Sequence, residues 1–377
     1  MSIYFDAMDE LKERGAYKRE DYAPFFVASW AQHQFNLMNR RKQIYWVNGL
    51  LPNARLHILF VSPAGFMKTY YLNIMAGDEL GIFAGCGSHI GFEQEMTAPG
   101  FTGTSQSSNG QKIDYNGAAK DYEKGFMLID EFKGLTEALQ GQGNGQFETQ
   151  LLAALNSGRV VKRLAITRDE YITSFTMWTG IQPSNFTTNS GIGRRLTYLL
   201  CLPTEKDNDK LTDIRFANRG KKPDRQRMQV IWSKQKKFIA ELDSIRAVEF
   251  DDSIRKRYKE LGHFHYEAEY YDSLLLGATL AIKGVSPIVE VDLKDPEITK
   301  MIENETHWRK QINRNPVQGA ISVMLKDAGG ECTMDELFNR ADMYSLNMEE
   351  VMTTVTAMRQ NGRIVMSGGK LKLAKMI

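Results

Sequence analysis

Residues 58–75 read ILFVSPAGFMKTYYLNIM. The apolar run at 58–61 has the length and composition of a buried strand. Small residues at 62–65 make a turn, and Lys68-Thr69 opens a helix-like stretch. This is the layout of a phosphate-binding loop, G-x-x-x-x-G-K-[ST]. Ser62 and Met67 stand where that pattern has glycine. Gly65 still lends backbone freedom, so that loop amides can turn toward a phosphate. Lys68 and Thr69 would bring an ammonium and a hydroxyl to a helix start, where an anion and its magnesium ion are favoured. Ser62, Gly65, Lys68 and Thr69 are therefore the expected contacts for ATP, with Thr69 also a ligand for Mg2+.

The second half of such a site is GFMLIDEF, residues 125–132. A buried strand ending in Asp-Glu puts two carboxylates at the carboxyl edge of a sheet. Asp130 is expected to hold magnesium with Thr69, and Glu131 to orient and polarise the attacking water. The two motifs in this order are far more specific than either alone.

The 377 residues are 42% hydrophobic and 25% charged, an ordinary soluble composition, with a formal net charge of only +2. Nucleic-acid contact would have to come from local basic patches. Cys86, Cys201 and Cys332 are far apart and share no C-x-x-C spacing, which argues against a zinc site or a disulfide framework. No apolar run approaches the roughly 18 residues of a membrane span. The charged start MSIYFDAMDELKERG is no signal peptide. A cytoplasmic location, at a nucleoid or a viral or plasmid replication site, is the expectation.

Four regions follow from the chain's patterning. Residues 1–50 read as a helical segment. Residues 51–205 alternate strands and helices, which argues for an α/β core on a parallel sheet. Within them, 98–125 is rich in Gly, Ser and Asn and reads as loop. RVVKRLAI (159–166) and YITSFTMWTGI (171–181) read as two strands joined by the polar TRDE. Residues 206–315 read as a charged connector, within PTEKDNDKLTDIRFANRGKKPDRQR (203–227), followed by helices. Residues 316–377 read as three helices and a hairpin with Gly-Gly at its turn, the outline of a winged helix-turn-helix. Met348, Met352 and Met358 read as core there, and Glu349 and Glu350 sit where a groove-reading helix would want donors or cations. A protein-contact module, with Lys370, Lys372 and Lys375 on its wing for weak DNA contact, fits that charge pattern better.

These motifs together resemble the minichromosome maintenance (MCM) replicative helicases, which are AAA+ ATPases. SPAGFMKT is similar to their Walker A loop, which also lacks glycine before the lysine. GAAKDYEKGFMLIDEF (117–132), LLAALNSGRVVKRLAI (151–166) and TMWTGIQPSN (176–185) are similar to the segments around Walker B, the following hairpin and sensor 1. Gln182 stands where the family has asparagine. GIGRRLTYLL (191–200) is similar to the arginine-finger segment, with Arg195 the match and Arg194 its neighbour. The likeness covers about 50–335, and 1–50 has no room for the family's N-terminal OB-fold and zinc site.

The resemblance implies an AAA+ core, a helical lid and a winged helix. It implies a ring, usually a hexamer, that hydrolyses ATP with Mg2+ and translocates on or unwinds DNA during replication. Gln182 would orient the lytic water, and Arg195 would enter the neighbouring subunit's site. Lys162, Arg163 and Arg168, on a hairpin facing the channel, would contact DNA phosphates without reading sequence. The segment 101–116 would be the family's helix-2 insert. Arg255 and Arg257 are the stand-ins for the sensor-2 arginine. An accessory AAA+ protein that loads or remodels a replication factor, a packaging motor, and a non-catalytic DNA-binding ring are the alternatives.

Overall fold

The computed structural model describes residues 2–39, 42, 44–45, 55–94, 96–108, 111–133, 145–156, 158–163, 168–186, 191–313 and 316–374. Its helices are α1 (Ile3–Glu13), α2 (Arg19–Asn39), α3 (Lys68–Leu72), α4 (Ala98–Thr102), α5 (Ala118–Asp121), α6 (Gly145–Leu155) and α7 (Glu205–Ala217). They continue as α8 (Arg225–Glu241), α9 (Asp252–Leu261), α10 (Ala268–Lys283), α11 (Pro296–Asn313), α12 (Pro316–Asp327), α13 (Met334–Ala341) and α14 (Met348–Gln360). The strands are β1 (His57–Val61), β2 (Ile90–Glu93), β3 (Thr104–Ser108), β4 (Gln111–Tyr115), β5 (Phe126–Ile129), β6 (Arg159–Arg163) and β7 (Arg168–Ile172). After them come β8 (Thr176–Ile181), β9 (Leu196–Leu200), β10 (Ala247–Phe250), β11 (Ile288–Val291), β12 (Glu331–Cys332), β13 (Ile364–Ser367) and β14 (Lys370–Leu373).

Five strands form one parallel sheet in the order β2-β5-β8-β1-β9. β1, β5, β8 and β9 are buried along their whole length, as parallel strands covered on both faces are. Side chains alternate between two cores: Ile58, Phe60 and Trp178 face one, and Leu59, Val61 and Met177 the other. β8 lies between the strand entering the 62–69 loop and the strand ending at Asp130. The registers Val61↔Ile181 and Ile129↔Thr179 bring Ser62, Gln182 and Asp130-Glu131 to one carboxyl edge, where open parallel sheets bind ligands.

The first core is covered by α2, which is buried nearly all round and packs between the sheet and α10. The Trp178 indole donates to Ser29 Oγ at 2.8 Å, and Ser29 Oγ donates to the Leu56 carbonyl at 2.6 Å. On the other side Gly277 permits the α2–α10 contact, since a Cβ there would stand 2.3 Å from the Ala28 carbonyl oxygen.

His33 of α2 is fully buried and bridges two strand ends, with Nδ1 2.8 Å from Thr176 Oγ1 and Nε2 3.3 Å from the Lys124 carbonyl oxygen. A carbonyl only accepts, so Nε2 carries the proton and Nδ1 accepts from Thr176. Burial holds this imidazole down at about 3, and burial also holds His57 well below its usual value. Both are neutral in the folded chain and protonate on unfolding near pH 6.5. Stability is thus complete above pH 6.5 and falls as pH drops toward 3, by about 1.4 kcal/mol per pH unit for each histidine. Thermal melts between pH 7 and 5 should show this slope. His33→Gln should flatten it, and an unchanged slope would remove His33 as a contributor.

Several expectations are corrected. The 98–125 region is not simple loop: it holds α4, the antiparallel β3–β4 hairpin and α5. TRDE is not the link between two strands either. Arg168, Asp169 and Glu170 belong to β7, which pairs with β6, and β8 is a separate strand. Polar residues suit a two-stranded hairpin, which has no second sheet to bury it. The charged connector contains α7, a helix without an apolar stripe. A Thr204–Asp207 capping box starts it, and Lys18 Nζ, 3.2 Å from Asp207 Oδ2, ties it down together with the Tyr17 hydroxyl. Burial alone would raise the Asp207 pKa; the Thr204 amide, Tyr17 and Lys18 outweigh it and bring it to about 2.

The C-terminal residues form α12, α13 and α14 around their own core, closed by the three-stranded sheet β12-β14-β13. Gly368 and Gly369 turn the hairpin with positive φ, which glycine adopts without a Cβ clash. Met358 is buried, but Met348 and Met352 are 63% and 49% exposed, contrary to the core assignment. They fall on the outer side of α14, whose first turn is held by an Asn347–Glu350 capping box. Among the described residues no helix is long and apolar enough to cross a membrane.

Candidate functional site

The 62–69 loop keeps the conformation that its sequence makes unexpected. Met67 adopts φ 56° and ψ −35°, a region where glycine is favoured and a side chain is strained. Its side chain is buried in the first core, which offsets the strain. Gly65 is also left-handed, at φ 76°. Ser62 contributes a link that glycine lacks. Its hydroxyl donates to the Phe66 carbonyl at 2.7 Å across the loop, while its amide donates to the Ile181 carbonyl at 3.0 Å.

Lys68 is buried, with Nζ donating to the Ser62 carbonyl at 2.9 Å and the Pro63 carbonyl at 3.3 Å. Burial lowers its pKa, opposed by Glu131 and Asp130. The nearest carboxylate oxygen is Glu131 Oε2, at 3.9 Å. Thr69 Oγ1 donates to Asp130 Oδ1 at 2.6 Å. Two segments 61 residues apart thus meet on the residues read from the two motifs. Helix α3 itself is short and passes into a π-helical turn, Asn73–Gly77.

These residues suit a nucleotide with a hard dication. A threonine hydroxyl and a carboxylate are oxygen ligands of the kind Mg2+ takes beside phosphate oxygens. Among the described residues no cluster of three or more His, Cys, Asp or Glu side chains could hold a metal by itself, so phosphates would have to complete the shell. Glu131 Oε1 is buried without a hydrogen-bond partner, a free acceptor beside the Lys68 ammonium. Gln182 follows β8 at the same edge, half-buried, and its carbonyl accepts from the Asn185 amide at 3.0 Å.

Gly180 makes the convergence possible, and the sequence reading did not single it out. A Cβ there would stand 2.7 Å from the Asp130 carbonyl oxygen, 3.0 Å from Lys68 Cδ and 3.1 Å from Lys68 Cβ. Gly180→Ala is expected to displace Lys68 or the end of β5, costing about 1–3 kcal/mol of stability. Melting and titration with an ATP analogue should both weaken; unchanged affinity would show that the lysine's path is not set here.

A cavity of about 1040 Å3 opens beside the loop. Gly65, Phe66, Met67 and Tyr70 form one wall, the α1–α2 turn with Arg14 and Tyr17 another, and α7 from Asn208 to its end the third. Its arginines are Arg14, Arg215 and Arg219, none of which sequence reasoning singled out. They come from segments with no motif, brought together only when α7 docks on Tyr17 and Lys18. Arg255 and Arg257 do not line it. Arg255 borders a separate cavity of about 620 Å3 with Tyr45, Tyr258 and His265. Arg257 pairs with Glu303 and with Glu260 at 3.0 Å.

The C-terminal module touches the loop. Ala64 N–H donates to Ser345 Oγ at 3.3 Å, and Ser345 is itself left-handed at φ 54°. The Tyr344 hydroxyl bonds the Pro203 carbonyl, and Arg340 pairs with Glu205.

Arg195 lies at the opposite edge of the sheet. It ends the turn Gly191–Arg195, just before Leu196, which pairs with His57 at the start of β1. The length of β1 puts it roughly 15 Å from the loop in the same chain. Neighbouring Arg194 is exposed and lies over the Tyr266 ring at 4.8 Å. This turn is braced by Arg309, whose Nη2 donates to the Leu196 carbonyl at 2.8 Å and to Glu305 Oε1 at 2.7 Å. Glu305 also accepts from the Tyr198 amide at 3.2 Å and the Tyr271 hydroxyl at 2.5 Å. Lys162 and Arg163 lie on β6 and Arg168 on β7, with Arg163 paired to Arg168 in register; their side chains lie outside the described residues. Lys375 lies outside them altogether.

No protein-family model matches this chain. No curated protein matches its sequence either.

Proposed function

We propose that this chain is an ATP-dependent DNA helicase or translocase of the MCM-like AAA+ type, working in DNA replication as an oligomeric ring, in which α8–α11 serve as lid and residues 316–374 as a winged helix. The observation that carries the reading is the Thr69–Asp130 contact of 2.6 Å beside a buried Lys68. A lysine, a hydroxyl and two acids on one sheet edge are a phosphoryl-transfer donor set. Bound ATP would supply the scissile phosphoanhydride, with Mg2+ neutralising its charge.

Lys68 would exchange its loop carbonyls for phosphate oxygens. Thr69 and Asp130 would hold the metal, and Glu131, with its open acceptor atom, would orient water together with Gln182. The cavity walled by Tyr70, Tyr17 and α7 is large enough for the nucleoside. Arg195, too far away in its own chain, would act on a neighbour. The test is ATP hydrolysis by the purified chain with and without single-stranded DNA, followed by unwinding of a forked duplex. Absence of both would remove the reading.

A second reading, an accessory ATPase that remodels a replication factor, draws on the exposed Met348 and Met352, which suit a protein partner. Turnover without strand separation would favour it.

A further inference from the structure

The turn joining α7 to α8 carries Arg215, Arg219, Lys221, Lys222, Arg225 and Arg227 against one acid, Asp224. Asp224 is occupied as the cap of α8, accepting from the Gln226 and Arg227 amides. Arg225 pairs with Glu79 at 2.6 Å and Arg227 with Glu10 at 2.8 Å, which pins the start of α8. The other four cations are exposed and pair with no acid among the described residues; Lys221 Nζ only donates to Asn218 Oδ1, at 3.0 Å. The α7 C-terminus accounts for Arg215. It does not account for Arg219, Lys221 and Lys222, which lie beyond the helix in a turn made by left-handed Gly220.

Among these cations stands Phe216, 67% exposed. No other large apolar side chain is more exposed among the described residues. In a chain whose net charge is only +2, this concentrates unpaired positive charge around an aromatic face. Cations that track a phosphate backbone beside an aromatic that stacks a base are the elements of single-strand recognition. A duplex offers no free base face to such a ring, so the combination favours unpaired strands. An anionic membrane would use the charges, but the exposed residues of α7 are polar or charged apart from Phe216 and Ala217, leaving no apolar stripe to insert.

We propose that the 215–222 turn is a contact site for single-stranded nucleic acid, with Arg219, Lys221 and Lys222 on phosphates and Phe216 stacking a base. It is separate from the β3–β4 and β6–β7 hairpins. It also stands without the nucleotide reading, because binding is measured with no ATP present.

The test uses the full chain and a fluorescein-labelled oligothymidine, followed by anisotropy between 50 and 200 mM salt. Lys221→Glu with Lys222→Glu should weaken binding about tenfold or more and make the log K against log salt slope shallower by about 1.4. Phe216→Ala should weaken it about tenfold and leave the slope unchanged. Circular-dichroism melts should match the parent, since these side chains are exposed. Parent-like affinity and slope in the double variant would overturn the proposal, as would a parent that binds no oligonucleotide. It would also be overturned if the lysine changes affected only binding to phosphatidylserine vesicles, or if Phe216→Ala affected only a fluorescent ATP analogue.

Discussion

Lys68→Ala is expected to abolish nucleotide binding while leaving the fold intact. The ammonium is held at the loop between the Ser62 and Pro63 carbonyls, with Glu131 at 3.9 Å. Removing one member of a buried charge-assisted contact costs about 2–5 kcal/mol, roughly a hundred- to a thousandfold in affinity. The effect on stability has a different sign from that of an ordinary core deletion. Burial already lowers the pKa of this lysine, so the folded chain holds the charge at a cost. The melting temperature of Lys68→Ala should therefore match or exceed the parent's. Titration with a fluorescent ATP analogue and a thermal melt read the two effects separately. Intact nucleotide affinity would remove the loop from the site; lost affinity together with a collapsed melt would show a structural lysine.

Arg195→Ala is expected to stop turnover and leave binding unchanged. A charge that stabilises the transferring phosphoryl group from a neighbouring subunit is worth about 10³–10⁵ in rate. The geometry sharpens this beyond an ordinary knockout. Arg195 precedes β9 at the amino edge of the sheet, whereas Lys68 follows β1 at the carboxyl edge. No small movement closes that gap within one chain. Mixing the two inactive proteins should therefore restore activity. In a ring assembled from equal parts, roughly a quarter of interfaces combine an intact Lys68 with an intact Arg195. Recovery of steady-state ATPase on mixing supports delivery between subunits. A mixture as inactive as its components, in assembled rings, would sink it.

The residues legible in the sequence were those whose chemistry is written locally. A strand, a small-residue turn and Lys-Thr identify a loop because the chain must pass through them in order. FMLIDEF identifies its counterpart because a buried strand ending in acids carries them to a sheet edge. Helix periodicity likewise located α2, α8, α10 and the three C-terminal helices. The misses share a cause. α7 has no apolar stripe, so its helix is held by a capping box and by Tyr17 and Lys18, partners far away in sequence. Met348 and Met352 match the helical spacing of core residues, yet the module's core closes without them.

The sequence by itself determined the α/β class, the positions of the loop and acid motifs, and the order in which they come. It did so because strand and turn propensities act over a few residues. Only the tertiary structure decided that β8 lies between β1 and β5, bringing Gln182 to the edge shared by Lys68 and Asp130. It also decided that Gly180 clears the path of Lys68, that Met67 keeps a glycine-like backbone because its side chain is buried, and that Arg195 faces away from its own loop. These depend on strand order and on packing between segments tens to hundreds of residues apart, which no local pattern encodes.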